Sequence, residues 1–545
     1  MKNTIRILSL VLVLVMMLSS LAACGKKEPA ETQKPSTSEN TPTTQAPIVT
    51  EGNDPAVTQK PAETKPAETE PPVVDKWADV NFEGEEIIIS LSEYVPIWVS
   101  QLGAGHVNHY IEGIDQYSTD SVQNAVFDRN RKVSEKLGIN PKYTYYKYTS
   151  REDETVQVIE NFVLADLEEA PDIVSTMSYG VVRAAIKGLL YNVLSDGEGK
   201  NYFDIKNEYG WYEDFMKEIT LDKEKLYILA GDYFIDVLRY ANGVLVNIDM
   251  YNDLFASEGG IDSLYETVNS GEWTYDELMR CADVAYIDNG AMDVNSSTFG
   301  AVALDAWIYR DMFSTSGLDV FEEVDGQIRY RENISDIHTF LDKMLDMFAH
   351  DSFLNPATQG GTAPIIAPIF TGNRALFMLD QPVLSLEGSQ IRNMEHPVGM
   401  LPYPKYKQDA EYGALVSDNG NVGGILYNSD KFTPASAFLQ MMCEESYGGK
   451  GTLIYEYYDV TLKYKYSANA GQVKMLEIIR EGLSCPKSLL FDNYFAKNVS
   501  MQTYGGLIRA IAKSNTNTFA SDWASQYSAV QGSLEETIVK YGNQN

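Results

Sequence analysis

Few residues of this 545-residue chain stand at the spacings that known catalytic or metal-binding motifs require. His106 and His109 form an HxxH pair, but no glutamate lies between them as in a zinc protease helix. The glycine-rich segment 448–452 lacks the upstream glycine of a phosphate-binding loop, and no GxSxG sequence occurs. Residues 288–295 do not follow calcium-loop spacing, which leaves a weak calcium site as the alternative to an ordinary turn. We therefore expect no catalytic residue, no cofactor and no metal site.

The composition argues against polyanionic partners and draws attention to aromatic side chains. The chain has 43 Lys and Arg against 77 Asp and Glu, a formal net charge of −34, whereas binding to nucleic acid or anionic lipid needs clustered basic residues. It also has 35 Tyr and 6 Trp, and aromatic faces with a polar edge suit the apolar C–H faces of sugar rings. With 77 acidic residues, some pair will lie at glycosidase separation by chance, so the sequence identifies no catalytic pair.

The first residues are typical of a secretory signal. Lys2 and Arg6 precede an almost unbroken apolar run over residues 7–23, which is short for a membrane span. The run ends in Leu-Ala-Ala before Cys24 and resembles the lipobox of bacterial lipoproteins. This resemblance implies that residues 1–23 are removed and that the thiol of Cys24 carries a lipid with acyl chains such as palmitate. An ordinary signal peptide or an uncleaved anchor is the alternative.

Residues 24–75 are predicted to be the lipidated cysteine followed by a disordered tether. The segment 25–75 holds 9 of the 21 prolines, has no aromatic residue, and repeats Lys-Pro-Ala-Glu-Thr at 60–64 and 65–69. Such a segment buries too little apolar surface to offset its ordering entropy. Extended as polyproline II, it would reach roughly 160 Å. We therefore expect a lipid-anchored protein at the extracellular face of the cell membrane, standing off from the bilayer.

The other cysteines, Cys281, Cys443 and Cys485, are odd in number and follow no CxxC or zinc-like spacing. So few cysteines in a chain of this length exclude a disulfide scaffold. We expect buried structural thiols, with a single disulfide among the three as the alternative.

The first part of the globular region alternates between strand and helix patterns. Short β-branched or apolar runs predict strands, and apolar residues at helical spacing predict the helices between them. The predicted strands are 85–91, 141–148 and 171–176, and the predicted helices are 120–137, 152–167 and 181–190. This alternation favours a mostly parallel sheet covered by helices on both faces. Ligands of such sheets bind beyond the carboxyl ends of the strands.

The middle of the chain also contains strand and helix patterns. Further strands are predicted at 240–247, 374–379, 397–404 and 421–427, and a helix at 429–442. Trp273 precedes a capping box in which Thr274 is the N-cap and Glu277 stands three residues on, so we interpret Trp273 as structural. The last 80 residues are predicted to be mostly helical.

Four stretches of the globular region resemble the extracellular solute-binding proteins of bacterial ABC importers, in the family 1 group that includes many sugar-binding lipoproteins. Residues 120–139 resemble the first helix of that family. Residues 243–255 and 273–278 resemble its "YNKDLF" and "TWDEL" segments, residues 370–378 its "FxxGKAAM" strand, and residues 398–404 with 423–425 its "GVAPLP…GG" segment. The order and spacing of these stretches span about 300 residues of the sequence.

The resemblance implies an α/β chain with a two-lobed fold of the type II periplasmic-binding-protein kind, an interlobe cleft and crossover hinges. The first lobe would comprise 76–239 and 380–445, and the second 240–379 and 446–545. The lobes would close around a ligand and present it to a permease without catalysis.

The sequence departs from the family pattern at the end of one strand. Where the family often has Gly-Pro-Trp, this chain has Asp380 and Gln381 followed by Pro-Val. A stacking aromatic is therefore missing and a carboxylate is added. This change leaves room for a ligand with donor groups, such as a hydroxyl-rich sugar or an amine.

Candidate ligand-binding residues lie where predicted strands end or where the chain would cross between lobes. Loop packing, a structural salt bridge at the first crossover and a core helix stripe in the aromatic segment 305–310 are the alternatives. The candidates are Tyr94 and Trp98 after the first strand, Ser178 and Tyr179 after the third, Arg239 and Asn242 at the first crossover, Trp307 and Tyr309 in the aromatic segment, and Asp380 and Gln381 on the return strand.

The function expected from the sequence is that of a lipid-anchored, monomeric receptor of an ABC importer. It would bind a small solute, most readily a sugar or oligosaccharide, and deliver it to the transmembrane subunits of a permease. A cell-surface glycoside hydrolase and an adhesion or sensory protein on the same fold are the alternatives.

Overall fold

The structure is a computed structural model and describes residues 75–93, 110–146, 153–165, 169–195, 199–206, 210–290, 293–303, 308–354, 363–465 and 470–544. Residues Val74–Asn545 form one compact unit, which contains every element given below. The predicted signal sequence, Cys24 and nearly all of the tether lie outside the described residues. Within the described part, no helix combines the length and the apolar composition needed to cross a membrane.

The elements are numbered in chain order within the described residues. The strands are β1 (Glu85–Ser92), β2 (Ile139–Tyr146), β3 (Ile173–Met177), β4 (Asn242–Asn247), β5 (Phe299–Val302), β6 (Phe321–Val324), β7 (Gln327–Tyr330), β8 (Phe353–Leu354), β9 (Ala375–Pro382), β10 (Val398–Leu401), β11 (Ala414–Leu415), β12 (Asn421–Ile425) and β13 (Leu483–Ser484).

The α-helices are α1 (Ser121–Leu137), α2 (Asp153–Leu164), α3 (Ser178–Ile186), α4 (Glu213–Glu218), α5 (Asp236–Arg239), α6 (Ile248–Leu254), α7 (Ile261–Asn269), α8 (Tyr275–Ala285), α9 (Ile308–Ser314), α10 (Ser335–Phe348), α11 (Ala363–Thr371), α12 (Ser389–Arg392), α13 (Phe432–Ser446), α14 (Ala470–Glu481), α15 (Lys487–Asn498), α16 (Tyr504–Ser514) and α17 (Phe519–Gly542). Two 3-10 helices, Ala256–Glu258 and Val383–Glu387, and a π-helix, Tyr455–Lys465, complete the set for this part of the chain.

The first sheet has the strand order β12-β3-β1-β2. The central strand β1 pairs in parallel with β2 and β3, and β12 runs antiparallel to β3. Ile87, Ile89 and Leu91 of β1 are fully buried, since helices cover the sheet. Helices α1, α2 and α3 all contact its strands. The predicted alternation of strands and helices over the first part of the globular region is therefore confirmed.

Helix α1 begins and ends where its sequence predicts. The Asp120 carboxylate accepts hydrogen bonds from the backbone amides of Val122 and Gln123, at 2.9 and 3.2 Å, and so caps the first turn. Gly138 ends the helix with φ +60°, a left-handed conformation that glycine adopts without strain. The apolar stripe between them faces the first sheet and the core.

The second sheet has the strand order β10-β4-β9-β5-β8 and mixes directions. Strand β5 pairs in parallel with β8 and with β9, whereas β4 runs antiparallel to both β9 and β10. The chain thus forms two sheets with helices around them, and the predicted α/β class is confirmed.

The sheet pairings correct one predicted boundary. We expected the chain to return to the first lobe near Asp380, but β10 pairs with β4, with Leu401 opposite Val244 in the second sheet. The chain rejoins the first sheet only at β12, after β11 pairs with β13. The predicted assignment of the last 100 residues to one lobe is also too simple, because α15 and α17 pack on α3 of the first lobe.

Two predicted structural roles are confirmed. Trp273 is fully buried, and its indole N–H donates a hydrogen bond to the Pro402 carbonyl at 3.0 Å. This bond links the segment before α8 to the segment after β10. The three remaining cysteines are buried free thiols.

Candidate functional site

In each sheet, antiparallel pairing places predicted residues at one edge. In the second sheet, Asn242 at the start of β4 lies opposite Pro382 at the end of β9. In the first sheet, Asn421 at the start of β12 lies opposite Met177 at the end of β3. Because β4 and β12 run antiparallel to these partners, their first residues lie at the carboxyl edges of β9 and β3. Such edges are where ligands of α/β sheets bind.

A group of charged and amide side chains, some of them buried and others partly exposed, lies at these edges. We call it the crossover cluster, and it consists of Asn242, Arg310, Asp311, Asp380 and Asp418. The amide nitrogen of Asn242 donates to Asp311 Oδ2 at 2.7 Å and to Asp380 Oδ1 at 3.2 Å. The guanidinium of Arg310 donates to Asp418 Oδ2 at 3.0 Å, and its Nε lies 3.7 Å from Asp311 Oδ1. Five side chains from four separate chain segments therefore form one connected network.

Arg310 and Asp418 link the two sheets. Arg310 lies on α9, which follows β5 of the second sheet, and Asp418 lies in the loop that leads into β12 of the first sheet. Ser178, the first residue of α3, holds this loop, because its hydroxyl donates to the Asp418 carbonyl at 3.1 Å and its amide to the Gly420 carbonyl at 2.9 Å. The ion pair thus spans elements of both sheets.

Tyr403, which follows β10, braces the carboxylates of the cluster. Its hydroxyl accepts a hydrogen bond from the Asp380 backbone amide at 2.8 Å and donates to Asp311 Oδ2 at 3.2 Å. The backbone of Asp380 has φ +57°, an uncommon conformation for a residue with a side chain. Such conformations are concentrated at functional sites, where the surroundings impose them.

The electrostatics of the cluster are dominated by carboxylates. Burial, followed by the neighbouring carboxylate of Asp311, raises the pKa of Asp380 well above its ordinary value. Burial would lower the pKa of Arg310, but Asp418, Asp311 and Asp380 outweigh it, so the pKa lies above its ordinary value and Arg310 stays charged. The cluster therefore combines one fixed cation with a carboxyl group that resists ionisation.

Several acceptor oxygens in and beside the cluster lack a donor. Asn242 Oδ1 and Asn419 Oδ1 are buried and accept no hydrogen bond from the described residues, whereas Asp311 Oδ1 lies 3.7 Å from Arg310 Nε. Asn242 is 2% exposed, Asp311 is fully buried, and Asn419 is 4% exposed. Leaving a buried polar atom unpaired costs about 1–3 kcal/mol. A ligand or a water molecule at this edge would supply donors to the two asparagine oxygens.

A second buried network lies at the first crossover. Arg239 on α5 donates to both carboxylate oxygens of Glu387, at 3.1 and 2.9 Å, and lies 3.3 Å from Asp236. Its guanidinium also lies 4.5 Å from the centre of the Tyr110 ring. Burial would lower the pKa of Arg239, but Glu387 outweighs it and the pKa lies well above its ordinary value. Asp236 also accepts from the Asn421 amide at 2.6 Å, which ties this network to β12.

The ten predicted ligand-binding residues are distributed unevenly. Asn242 and Asp380 lie in the crossover cluster and Ser178 holds its Asp418 loop, whereas Arg239 lies in the adjoining network. Tyr179 is buried, and the Gln381 amide donates to backbone carbonyls of its own strand. Tyr309 is buried with its ring 4.9 Å from that of Phe348. The predictions for Tyr94, Trp98 and Trp307 lie outside the described residues.

Four residues of the site were not predicted from the sequence: Arg310, Asp311 and Asp418, which complete the cluster, and Tyr403, which contacts it. Arg310 and Asp311 directly follow the predicted Tyr309 in the sequence. Asp418 precedes a predicted strand in the sequence Asp-Asn-Gly, which resembles an ordinary turn.

Other concave or polar sites in the described residues are less suited to a ligand shared by both sheets. A pocket of about 510 Å³ lies between the β6–β7 hairpin and the β11–β13 pair, and it contains no residue of the crossover cluster. In the part of the chain that the structure describes, no group of three or more His, Cys, Asp and Glu side chains is placed to hold a metal ion.

Comparisons with known proteins gave distant structural likeness only. No protein-family model matches the chain, and no curated protein sequence matches it. A cyclo/maltodextrin-binding protein complexed with maltotetraose is 13% identical over 84% of this chain and 96% of its own, with a TM-score of 0.49. RafE from Streptococcus pneumoniae, in apo form, is 12% identical over 82% and 98%, with a TM-score of 0.48.

A family 1 extracellular solute-binding protein from Bifidobacterium longum subsp. infantis is 11% identical over 83% of this chain and 100% of its own, with a TM-score of 0.47. At these TM-scores the likeness alone supports no functional assignment.

Proposed function

We propose that this protein is a solute receptor that binds a small polar molecule at the crossover cluster, between its two α/β sheets. The observation that carries the proposal is the convergence of side chains from both sheets at their carboxyl edges, where buried acceptor oxygens lack donors. Segments that change direction between two lobes allow hinge closure around a ligand. The ion pair between Arg310 and Asp418 would respond to that closure, because its two members belong to different sheets.

The cellular role that fits this geometry is delivery of the solute to an ABC permease. The four sequence stretches that resemble solute-binding proteins and the lipobox-like residues before Cys24 support this role. A carbohydrate is the first ligand class to test, since the cluster offers amide and carboxylate groups that bind hydroxyls. We propose that the protein acts as a monomer held at the outer face of the cell membrane by a lipid on Cys24.

The central experiment measures ligand-induced stabilisation of the full chain in detergent. The ligand panel contains mono- and oligosaccharides, amino sugars, amino acids, peptides and polyamines. A ligand that binds only the folded state stabilises it by about 2.7 kcal/mol at a hundredfold excess over Kd. We expect a rise in melting temperature with one ligand class, no product formation, and loss of the effect in Asp418→Ala.

The matched control is Asp336→Ala, which breaks another Arg–Asp pair, with Arg331 at 2.8 Å, away from the cluster. Binding that survives in Asp418→Ala would place the site elsewhere, and turnover of a sugar polymer would favour the hydrolase alternative. Stabilisation by no member of the panel would count against the receptor role. Metabolic labelling with an alkyne fatty acid tests the anchor, and Cys24→Ala should abolish the label.

A further inference from the structure

The pocket between the β6–β7 hairpin and the β11–β13 pair has no part in the proposed function. We call it the hairpin pocket. The end of α9 and the start of α15 also line it, and its volume is about 510 Å³. Sites for small molecules typically have volumes of about 300–1,000 Å³. The hairpin pocket is therefore large enough for a small ligand of its own.

Part of the wall of the hairpin pocket is apolar. Leu318 and Phe321 line it and are buried, and Ile328 of β7 and Pro486 are partly exposed in the same wall. Burial of apolar surface against such a wall is favourable because it removes that surface from water. This side of the pocket suits the hydrocarbon part of a ligand.

Five carboxylates line the hairpin pocket, and two of them already have cationic partners. Glu322 accepts from Arg329 Nε at 2.9 Å, and Glu323 lies 2.7 Å from Lys223 Nζ. These two pairs belong to the outer side of the hairpin. The charge that a ligand would meet is therefore set by the other three carboxylates.

Backbone amides fix two of these three carboxylates in place. Glu218 Oε2 accepts from the amide of Cys485 at 2.8 Å, and Asp319 Oδ1 accepts from the amide of Phe321 at 3.1 Å. The third carboxylate, that of Glu411, is exposed. Two negative groups are thus held in position before any ligand arrives, which reduces the entropy cost of binding.

The single cation among the lining residues, Lys487, is held by backbone carbonyls. Its amine donates to the carbonyls of Lys217 and Glu218, at 2.9 and 3.0 Å, at the end of α4. One lysine therefore stands against the three carboxylates that have no partner on the hairpin. The lining as a whole favours a positively charged ligand.

An unpartnered hydroxyl in the wall of the pocket is an independent sign of a ligand. Ser314, the last residue of α9, lines the pocket and is only 6% exposed. Its Oγ is buried and forms no hydrogen bond with the described residues. A buried polar atom without a partner is unfavourable, so a donor supplied by a ligand would stabilise it. An ammonium group offers three donors and no acceptor.

We propose that the hairpin pocket is a second binding site, separate from the crossover cluster, for a small organic amine with an apolar body. The apolar body lies against the wall that contains Leu318 and Phe321, and the ammonium group binds the carboxylates and the Ser314 hydroxyl. The proposal does not depend on the proposed function, because the two sites share no residue.

Isothermal titration calorimetry of the full chain in detergent, corrected for titration into detergent alone, tests the proposal. The probes are 2-phenylethylamine and hexylamine, with the neutral counterparts 2-phenylethanol and hexanol. We expect each amine to bind at least about tenfold more tightly than its alcohol, since hydrogen bonds to charged groups are the stronger ones. Hydrogen–deuterium exchange should show protection by the amines in segments 314–323 and 410–413.

Two variants remove one charge each from the pocket. Asp319→Asn keeps an oxygen for the Phe321 amide and should weaken amine binding about tenfold. Glu411→Gln changes an exposed side chain, which guards against a folding defect, and should weaken amine binding up to about fivefold. The matched control, Glu536→Gln, removes an exposed carboxylate of α17 outside the pocket and should leave amine binding unchanged.

No binding of either amine, or equal binding of the amines and the alcohols, would overturn the proposal. Amine binding that is unchanged in both Asp319→Asn and Glu411→Gln would also overturn it. Loss of amine binding in Asp418→Ala, with protection at the crossover cluster instead of the pocket, would place the amine at the solute site and refute a second site. Each of these results leaves the receptor role to its own test.

Discussion

Replacing Arg239 by Met should destabilise the protein strongly, because it removes the cation from a buried network. Arg239 and Asp236 are fully buried, and the Glu387 side chain is 11% exposed. The substitution leaves two buried carboxylates without their positive partner, which typically costs about 3–5 kcal/mol. Loss of the contact with the Tyr110 ring adds about 0.5–2 kcal/mol.

The effect of Arg239→Met should also depend on pH. Burial raises the pKa of Asp236 to about 6 although Arg239 opposes the rise. Without Arg239 the pKa of Asp236 rises further above its unfolded value. A carboxyl with a raised pKa contributes stability that is present below the unfolded pKa and is lost as pH rises through the folded pKa. The variant should therefore be more severely destabilised at pH 8 than at pH 5.

Urea unfolding of the full chain in detergent, followed by tryptophan fluorescence at pH 5, 6.5 and 8, measures both effects. Arg280→Met is the matched control, since Arg280 pairs with Glu258 and Glu277 but is 42% exposed. Exposed pairs contribute at most about 1 kcal/mol. A loss in Arg239→Met no larger than that of the control, or equal losses at pH 5 and pH 8, would refute the role given to this network.

Three further substitutions test the packing of the fold by the same unfolding assay. Burial raises the pKa of Asp492 to about 7, so the parent chain loses stability as pH rises, whereas an amide at this position carries no charge. The free energy of unfolding of Asp492→Asn should therefore rise relative to that of the parent chain by on the order of 4 kcal/mol between pH 4 and pH 8. A difference between the two that does not change with pH would contradict this. Trp273→Ala should cost about 3–5 kcal/mol, since its indole is fully buried, and a cost below 1 kcal/mol would argue against its role. Gly300→Ala should cost about 3 kcal/mol, because a Cβ there would lie 2.1 Å from the Ala282 carbonyl oxygen. Its control, Gly532→Ala in the open middle of α17, should instead stabilise by up to about 1 kcal/mol, and equal effects of the two would be the contrary result.

Helix ends could be predicted from the sequence where a single residue type satisfies a local requirement of the backbone. Asp120 and Gly138 bound α1 because a carboxylate caps free amides and glycine adopts a left-handed conformation. The structural role of Trp273 was predicted in the same way, from its position directly before a helix-capping box. These signals act over a few residues, so they can be recognised in the sequence without knowledge of the fold.

The candidate site was predicted only in part, because its members are distant in the chain. Tyr309 was expected to contact ligand, yet its neighbours Arg310 and Asp311 belong to the cluster, since each helical residue turns by about 100° from the last. Asp418 joins Arg310 across 108 positions of the chain. No local pattern around Asp418 indicates that partner.

The sequence by itself determined many of the helices and strands, the acidic balance and the presence of polar residues at strand ends. Their local causes are capping, periodicity and composition, which do not depend on distant contacts. Only the tertiary structure decided that β10 stays in the second sheet and that Asn242, Arg310, Asp311, Asp380 and Asp418 meet. Strand pairing and contacts between charged side chains join segments that are distant in the chain, so the site exists only in the folded chain.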